Sequence, residues 1–149
     1  ATITKGKLMR SLFSMSILLF LFACDSQKSA LTFDDLEIYA PLPGNSVTSG
    51  YAKIKNNGNE GITIESITSP DFKSVEIHET IISDGIARMI EIENLLIPQN
   101  DAVLLERGGK HFMFFEPTSS ISIGQDIKLS IELSNNSNID IVVPAKSRF

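Results

Sequence analysis

The chain has 149 residues, 42% of them hydrophobic, with 13 basic and 18 acidic side chains and a formal charge of −5. Setting aside residues 1–23 as an export segment leaves 126, which suits one domain with its own core; three basic and no acidic side chains go with it, so 10 basic residues face 18 acidic ones, a charge of −8. That balance, without any cluster of Lys and Arg, excludes a phosphate-backbone partner, and no nucleic acid is expected.

The chain opens with an address. Lys5, Lys7 and Arg10 precede an apolar run from Leu12 to Ala23, broken only by Ser14 and Ser16 and closing on Leu21-Phe22-Ala23-Cys24. Twelve residues are too few to cross a hydrocarbon core about 30 Å thick as a helix, and the basic, apolar, small-residue order is that of a secretory signal. The close reads as a lipobox, although Phe22 is bulkier than the residue most lipoboxes carry there. Cys24, the single cysteine, then receives lipid; the plainer alternative is a free or buried thiol. Met9-Arg10 makes a natural start for such a signal, which leaves residues 1–8 as upstream sequence. The predicted organisation is a signal peptide over 1–23, a lipidated Cys24 with a polar tether over 24–31 (DSQKSAL after the cysteine), and a metal-binding β-domain over 32–149. It places the protein in the bacterial cell envelope, anchored to the membrane by lipid and facing the periplasm or exterior.

From there the pattern is one of strands. Leu36–Tyr39, Ser49–Lys55, Ile62–Ile67, Lys73–His78, Ile86–Ile92, Ala102–Leu105, His111–Phe115, Ile127–Leu133 and Ile139–Val143 are predicted strands. In the clearest, Val75 and Ile77 alternate with Glu76 and His78, and Ile127, Leu129, Ile131 and Leu133 with Lys128, Ser130 and Glu132. Turn clusters separate them: Asn56–Asn59, Ser83–Gly85, Pro98–Asp101, Arg107–Lys110 and Ser134–Asn138. About nine short strands with turns every eight to twelve residues predict an all-β sandwich or small barrel. No stretch has helical periodicity, and no internal repeat is present.

Beyond the export segment, His78, Met89, His111 and Met113 are the only histidines and methionines. Thioether sulfur is soft and uncharged, imidazole suits copper and zinc, and two of each favour copper(I) over hard cations. His111 and Met113, two apart on a strand, share one face with Cα atoms about 6.6 Å apart. Asp84-Gly85 is a two-residue hairpin signal, and pairing about it sets His78 opposite Glu91, with Met89 a diagonal neighbour on the same face. Two adjacent hairpin edges are therefore expected to offer one nitrogen and one sulfur each, near the loop end of the sandwich, with Gly108-Gly109 permitting a tight turn. Singly, a strand His is usually just polar surface and a strand Met core filler; their joint spacing is what argues for a site. Glu79 alternates away from His78 and reads as a solvated carboxylate.

The segment from Val75 to Phe115 resembles the periplasmic copper chaperone family PCu(A)C, associated with the CuA centre of cytochrome c oxidase. The family pattern is His, ten residues, Met, twenty-one residues, His-x-Met, and His78, Met89, His111 and Met113 match every position. Tyr51–Asn56 (YAKIKN) ahead of an Asn-Gly turn, Ile97-Pro98 and Gly108-Gly109 agree, and the resemblance covers about residues 33 to 145. It implies a cupredoxin-like Greek-key β-sandwich that holds Cu(I) at an exposed site. It also implies an extracytoplasmic chaperone delivering copper toward the CuA centre, with cytochrome c oxidase subunit II or another copper chaperone as partner. Two features depart from relatives: Glu79 stands where some have Met, and the chain ends in PAKSRF without their Met- and His-rich tail, so no additional Cu(II) site is implied.

Rival classes fare less well. Neither Ser74 nor Ser83 near His78 belongs to a nucleophile elbow, so enzymatic chemistry is not expected. A blue-copper site needs a cysteine ligand, and Cys24 is committed to the lipobox. The alternatives are a copper-buffering lipoprotein, or a structural or adhesive sandwich whose His and Met are incidental.

Overall fold

Alternation of apolar and polar residues governs the elements. In β9, Ile127, Leu129, Ile131 and Leu133 are buried while Asp126, Lys128 and Glu132 between them are exposed, so one face enters the core and the other meets water. The computed structural model describes residues 31–149; the expected signal peptide, Cys24 and the tether up to residue 30 lie outside the described residues. The strands are β1 (Leu31–Tyr39), β2 (Val47–Asn56), β3 (Ile62–Thr68), β4 (Phe72–Ser83), β5 (Ile86–Glu91), β6 (Leu95–Ile97), β7 (Ala102–Leu105), β8 (Lys110–Pro117), β9 (Asp126–Leu133) and β10 (Asn138–Lys146). Leu31, predicted as the last tether residue, already pairs with Asn56 and opens β1.

The order of neighbours is β5-β4-β8-β2-β1-β10-β9-β3-β6, with β7 also on β2. The first five strands form one sheet and the last four a second. They join through a short parallel pairing, Ile38 beside Ala145 and Tyr39 beside Lys146. Ile38, Ile54, Val75, Ile77, Phe112 and Phe114 from the first sheet meet Ile64, Ile67, Leu129, Ile131 and Val143 from the second in one core. This is the expected all-β, cupredoxin-like Greek-key sandwich, with ten strands rather than nine. The extra strand is β6, which pairs Ile62, Thr63 and Ile64 of β3 and buries Leu95 and Ile97.

Two local devices shape the sheet beneath the site. The β1–β2 register shifts between Asp34 and Glu37, and Asp35 takes a positive φ of 51°, which is a β-bulge that bends β1 toward β2. At the bent position a Cβ on Gly50 would lie 2.7 Å from the Glu37 carbonyl oxygen and 3.0 Å from the Phe114 ring. Only glycine allows that approach. Asn56, buried at the end of β2, donates from Nδ2 to the carbonyls of Glu60 (2.7 Å) and Ile97 (3.0 Å) and accepts the Gly58 N–H at 2.9 Å. One side chain thus ties the β2–β3 turn to β6.

Candidate metal centre

Three neighbouring strands, β5, β4 and β8, carry the four His and Met residues. Asp84 and Gly85 both adopt positive φ, 52° and 75°, as a type I′ hairpin turn requires. The turn sets Ser83 against Ile86, His78 against Glu91 and Thr80 against Met89, the register expected from the sequence. On its other side β4 runs antiparallel to β8, with His78 directly opposite His111 and Glu76 opposite Met113. Residues directly opposite or two apart share a face, so all four candidates lie on one side of the sheet. Val75, Ile77, Phe112 and Phe114 fill the core on the other.

The site therefore spans a continuous three-strand surface, not two hairpin edges. It is also less uniformly exposed than expected: Met89 on the edge strand is 60% exposed, His111 only 6%, and His78 and Met113 are half-buried. Met89, His111 and Met113 line one cleft of about 400 Å³. His78 is not among its lining residues; its ring sits 6.3 Å from that of His111 and 5.9 Å from that of Phe115.

Hydrogen bonding decides which nitrogen of each ring is free. Nδ1 of His111 lies 2.9 Å from the Gly109 carbonyl oxygen. A carbonyl only accepts, so Nδ1 carries the proton and Nε2 keeps its lone pair. The same carbonyl accepts the Thr80 N–H at 3.1 Å, and Gly108 in the preceding turn has φ +79°. For His78, Nε2 lies 2.7 Å from a carboxylate oxygen of Glu76. The carboxylate accepts, Nε2 donates, and Nδ1 holds the lone pair. Among the described residues, Nδ1 of His78 is the one buried side-chain nitrogen or oxygen with no hydrogen-bond partner. Such an orphan costs about 1–3 kcal/mol, and a cation would satisfy it. A carboxylate, a histidine and a vacant ring nitrogen form the arrangement that orients imidazole toward metals.

The donor set is soft. Among the described residues no group of three or more His, Cys, Asp or Glu is placed to hold a metal, and the other candidate donors on this face are the thioethers of Met89 and Met113. Glu79 lies on the opposite face, bonded to Lys110 at 2.8 Å, as its alternation predicted. Glu76, two residues before His78 and on its face, is the carboxylate that touches the ring; strand alternation alone could have found it. No local pattern announces the far wall of the cleft. There the Arg107 guanidinium lies 5.5 Å from the Tyr39 ring centroid and 5.7 Å from that of Tyr51, and that of Arg148 5.7 Å from Tyr39. Arg148 also donates to the Thr48 and Ser49 hydroxyls at 3.3 and 3.4 Å.

Residues 31–145 match the family model "Putative lipoprotein LpqE-like". "Putative lipoprotein Lxx21020" of Leifsonia xyli subsp. xyli (strain CTCB07) is 25% identical over 150 residues, covering 94% of this chain and 90% of that protein. Among solved structures, the copper-bound PCuAC domain from PmoF2 superposes with a TM-score of 0.66 at 16% identity, over 79% of this chain and 93% of that one. The solution structure of CuI-DR1885 from Deinococcus radiodurans gives 0.65 at 20% identity, over 82% and 83%. At such identities the likeness to these structures is one of fold.

Proposed function

We propose that this chain, which belongs to the LpqE-like family, is a copper(I) carrier of the bacterial cell envelope, anchored by lipid on Cys24 and passing copper toward the CuA centre of cytochrome c oxidase. One observation carries the reading: the partnerless, buried Nδ1 of His78 lies on the same sheet face as the free Nε2 of His111 and the sulfurs of Met89 and Met113. The copper-bound PmoF2 domain and CuI-DR1885 share the fold, and the four residues match the family spacing, which supports copper as the cargo. His78 through Nδ1, His111 through Nε2, and the two Met Sδ atoms are the ligands. Copper(I) is preferred over copper(II) and zinc because thioethers contribute little to either of the latter.

The same chemistry suits a carrier better than a store or a catalyst. Sulfur ligands here are uncharged, and Met89 projects from the outermost strand, so a partner with thiolate ligands can replace them stepwise. Recipient and direction follow from the resemblance: a CuA-bearing subunit II of the oxidase, or another copper chaperone feeding it.

The test is Cu(I) competition against a chromophoric chelator for the parent, Met89→Leu, Met113→Leu, His78→Ala and His111→Ala. One Cu(I) per chain and a loss of at least about tenfold in each variant, with the fold intact, is expected. Leu keeps most of the methionine volume, so parent-like binding in both Met→Leu variants overturns the ligand set. Mixing the loaded chain with a metal-free CuA domain should move copper to the acceptor; retention on the donor would point to buffering. Mass spectrometry of the native N-terminus should find an acylated Cys24, and an unmodified thiol there removes the anchor.

A further inference from the structure

The cleft that holds Met89, His111 and Met113 has a second wall of opposite character. Arg107 and Arg148 line it, two of the three arginines among the described residues. Neither forms an ion pair with a carboxylate among the described residues. The nearby carboxylate, Glu37, is taken by Lys146 at 2.6 Å and by the Tyr39 hydroxyl at 2.8 Å. The guanidiniums instead lie over the Tyr39 and Tyr51 rings. Arg148 spends Nη2 on the Thr48 and Ser49 hydroxyls; among the described residues no carboxylate takes the other N–H groups of either guanidinium, which can meet a planar anion.

Two cations without an ion pair among the described residues, beside a site for a cation, work against holding it, since like charges repel. They are also out of keeping with the chain, whose 18 acidic residues outnumber its basic ones. An acidic partner would be repelled by most of this surface and drawn to this cleft.

We propose that Arg107 and Arg148 receive the carboxylates of an acidic polypeptide segment on the protein that exchanges copper with this one, setting that partner's sulfur ligands against Met89. A guanidinium takes a carboxylate with two parallel N–H bonds, which orients as well as attracts. On the other side of the ligands β5 is a sheet edge, and its outer backbone groups are open for the partner to lie along. A handover needs a brief encounter rather than a lasting complex, and charge sets its on-rate. The proposal rests on the copper-carrier reading for its purpose; docking itself is measurable without copper.

The probes are two synthetic octapeptides, each with two cysteines spaced by two residues, flanked by glutamates in one and lysines in the other. At low salt the glutamate peptide should strip Cu(I) from the full chain about tenfold faster than the lysine peptide, and the gap should close near 1 M salt, where screening reaches about 3 Å. In R107Q/R148Q the advantage should fall to about twofold or less while Cu(I) affinity stays within about threefold of the parent or rises; R107K/R148K, which keeps the charge, should retain most of it. Equal rates for both peptides on the parent, or an advantage that survives R107Q/R148Q, overturns the proposal. Without metal, the glutamate peptide with serines for cysteines should shift the amides of Ser49, Tyr51, Gly108 and Arg148 in NMR titration. No shift there overturns docking, and equal shifts from acetate at matched carboxylate concentration reduce the cleft to a simple anion site and overturn the polypeptide partner. A chain that binds no copper fails the carrier reading alone, and the titration still decides this one.

Discussion

Glu76 determines which nitrogen of the His78 ring is left without a proton. Its carboxylate holds the Nε2 proton, so Nδ1 is left as the donor atom, and the imidazole is both oriented and made more electron-rich. In Glu76→Leu the ring is free to rotate and exchange tautomers; Cu(I) affinity should fall about 10- to 100-fold, and nitrogen NMR of His78 should change from the Nε2–H form to a mixture. An unchanged tautomer in that variant would show that something other than Glu76 holds the ring. Arg107 and Arg148 act at the same scale but were beyond sequence reasoning, because one follows β7, the other follows β10, and nothing local announces that they meet over Tyr39. Gly50 hid for a related reason. In SGYAKIK it looks like one small residue in an alternating strand, and its need to be glycine arises only where the bulged β1 brings Glu37 close.

At the level of elements, turns were easy to read and distant pairings were not. Asp84-Gly85 dictated the β4–β5 register because a two-residue loop leaves no other pairing. The pairing of β4 with β8 joins segments with β5, β6 and β7 between them, and no turn encodes it; alternation gave the faces of His78 and His111 but not that they stand opposite. β6 has no sequence signature because Leu95–Ile97 is three residues before a proline, too short for a period to show. The first half of β1 is hidden because its bulge at Asp35 breaks the alternation. Asn56 lies between these cases: it is visible as the residue before an Asn-Gly turn, while its bond to Ile97 across 41 positions is not. Asn56→Ala strands two carbonyls and an N–H in a buried place and should lower stability by about 2–3 kcal/mol in denaturant unfolding. A change under about 0.5 kcal/mol would mean that water replaces the amide.

Across the whole molecule, the two sheets depend on the short β1–β10 seam, and Glu37 reinforces it from β1 by reaching Lys146 on β10 at 2.6 Å. The hydrogen bond from Lys146, and then that from Tyr39, hold the Glu37 carboxyl below its ordinary value of 4.5. A depressed folded-state value contributes stability that is fully present above the unfolded value and lost as pH falls through the folded one. The parent should therefore exceed Glu37→Gln in stability by a constant amount at neutral pH, and the difference should vanish under acid conditions below 4.5. Because the pair is partly exposed, the difference is about 0.2–1 kcal/mol. Thermal melts of both proteins from pH 7 to pH 3 measure it, and a gap that widens in acid would reverse the sign argued here.

The direction of β1 has a geometric consequence. Leu31, nearest in sequence to Cys24, is at one end of the strand, and Tyr39, beneath the two arginines, is at the other. Nine extended residues separate these poles by about 25 Å. With lipid on Cys24, the domain would hang from the bilayer by its Leu31 end and turn Arg107, Arg148 and the cleft they line toward the aqueous space. A partner rooted in the same membrane would then have to rise some tens of ångströms above the lipid to reach the ion, which favours a recipient whose metal-binding domain stands well clear of its own anchor.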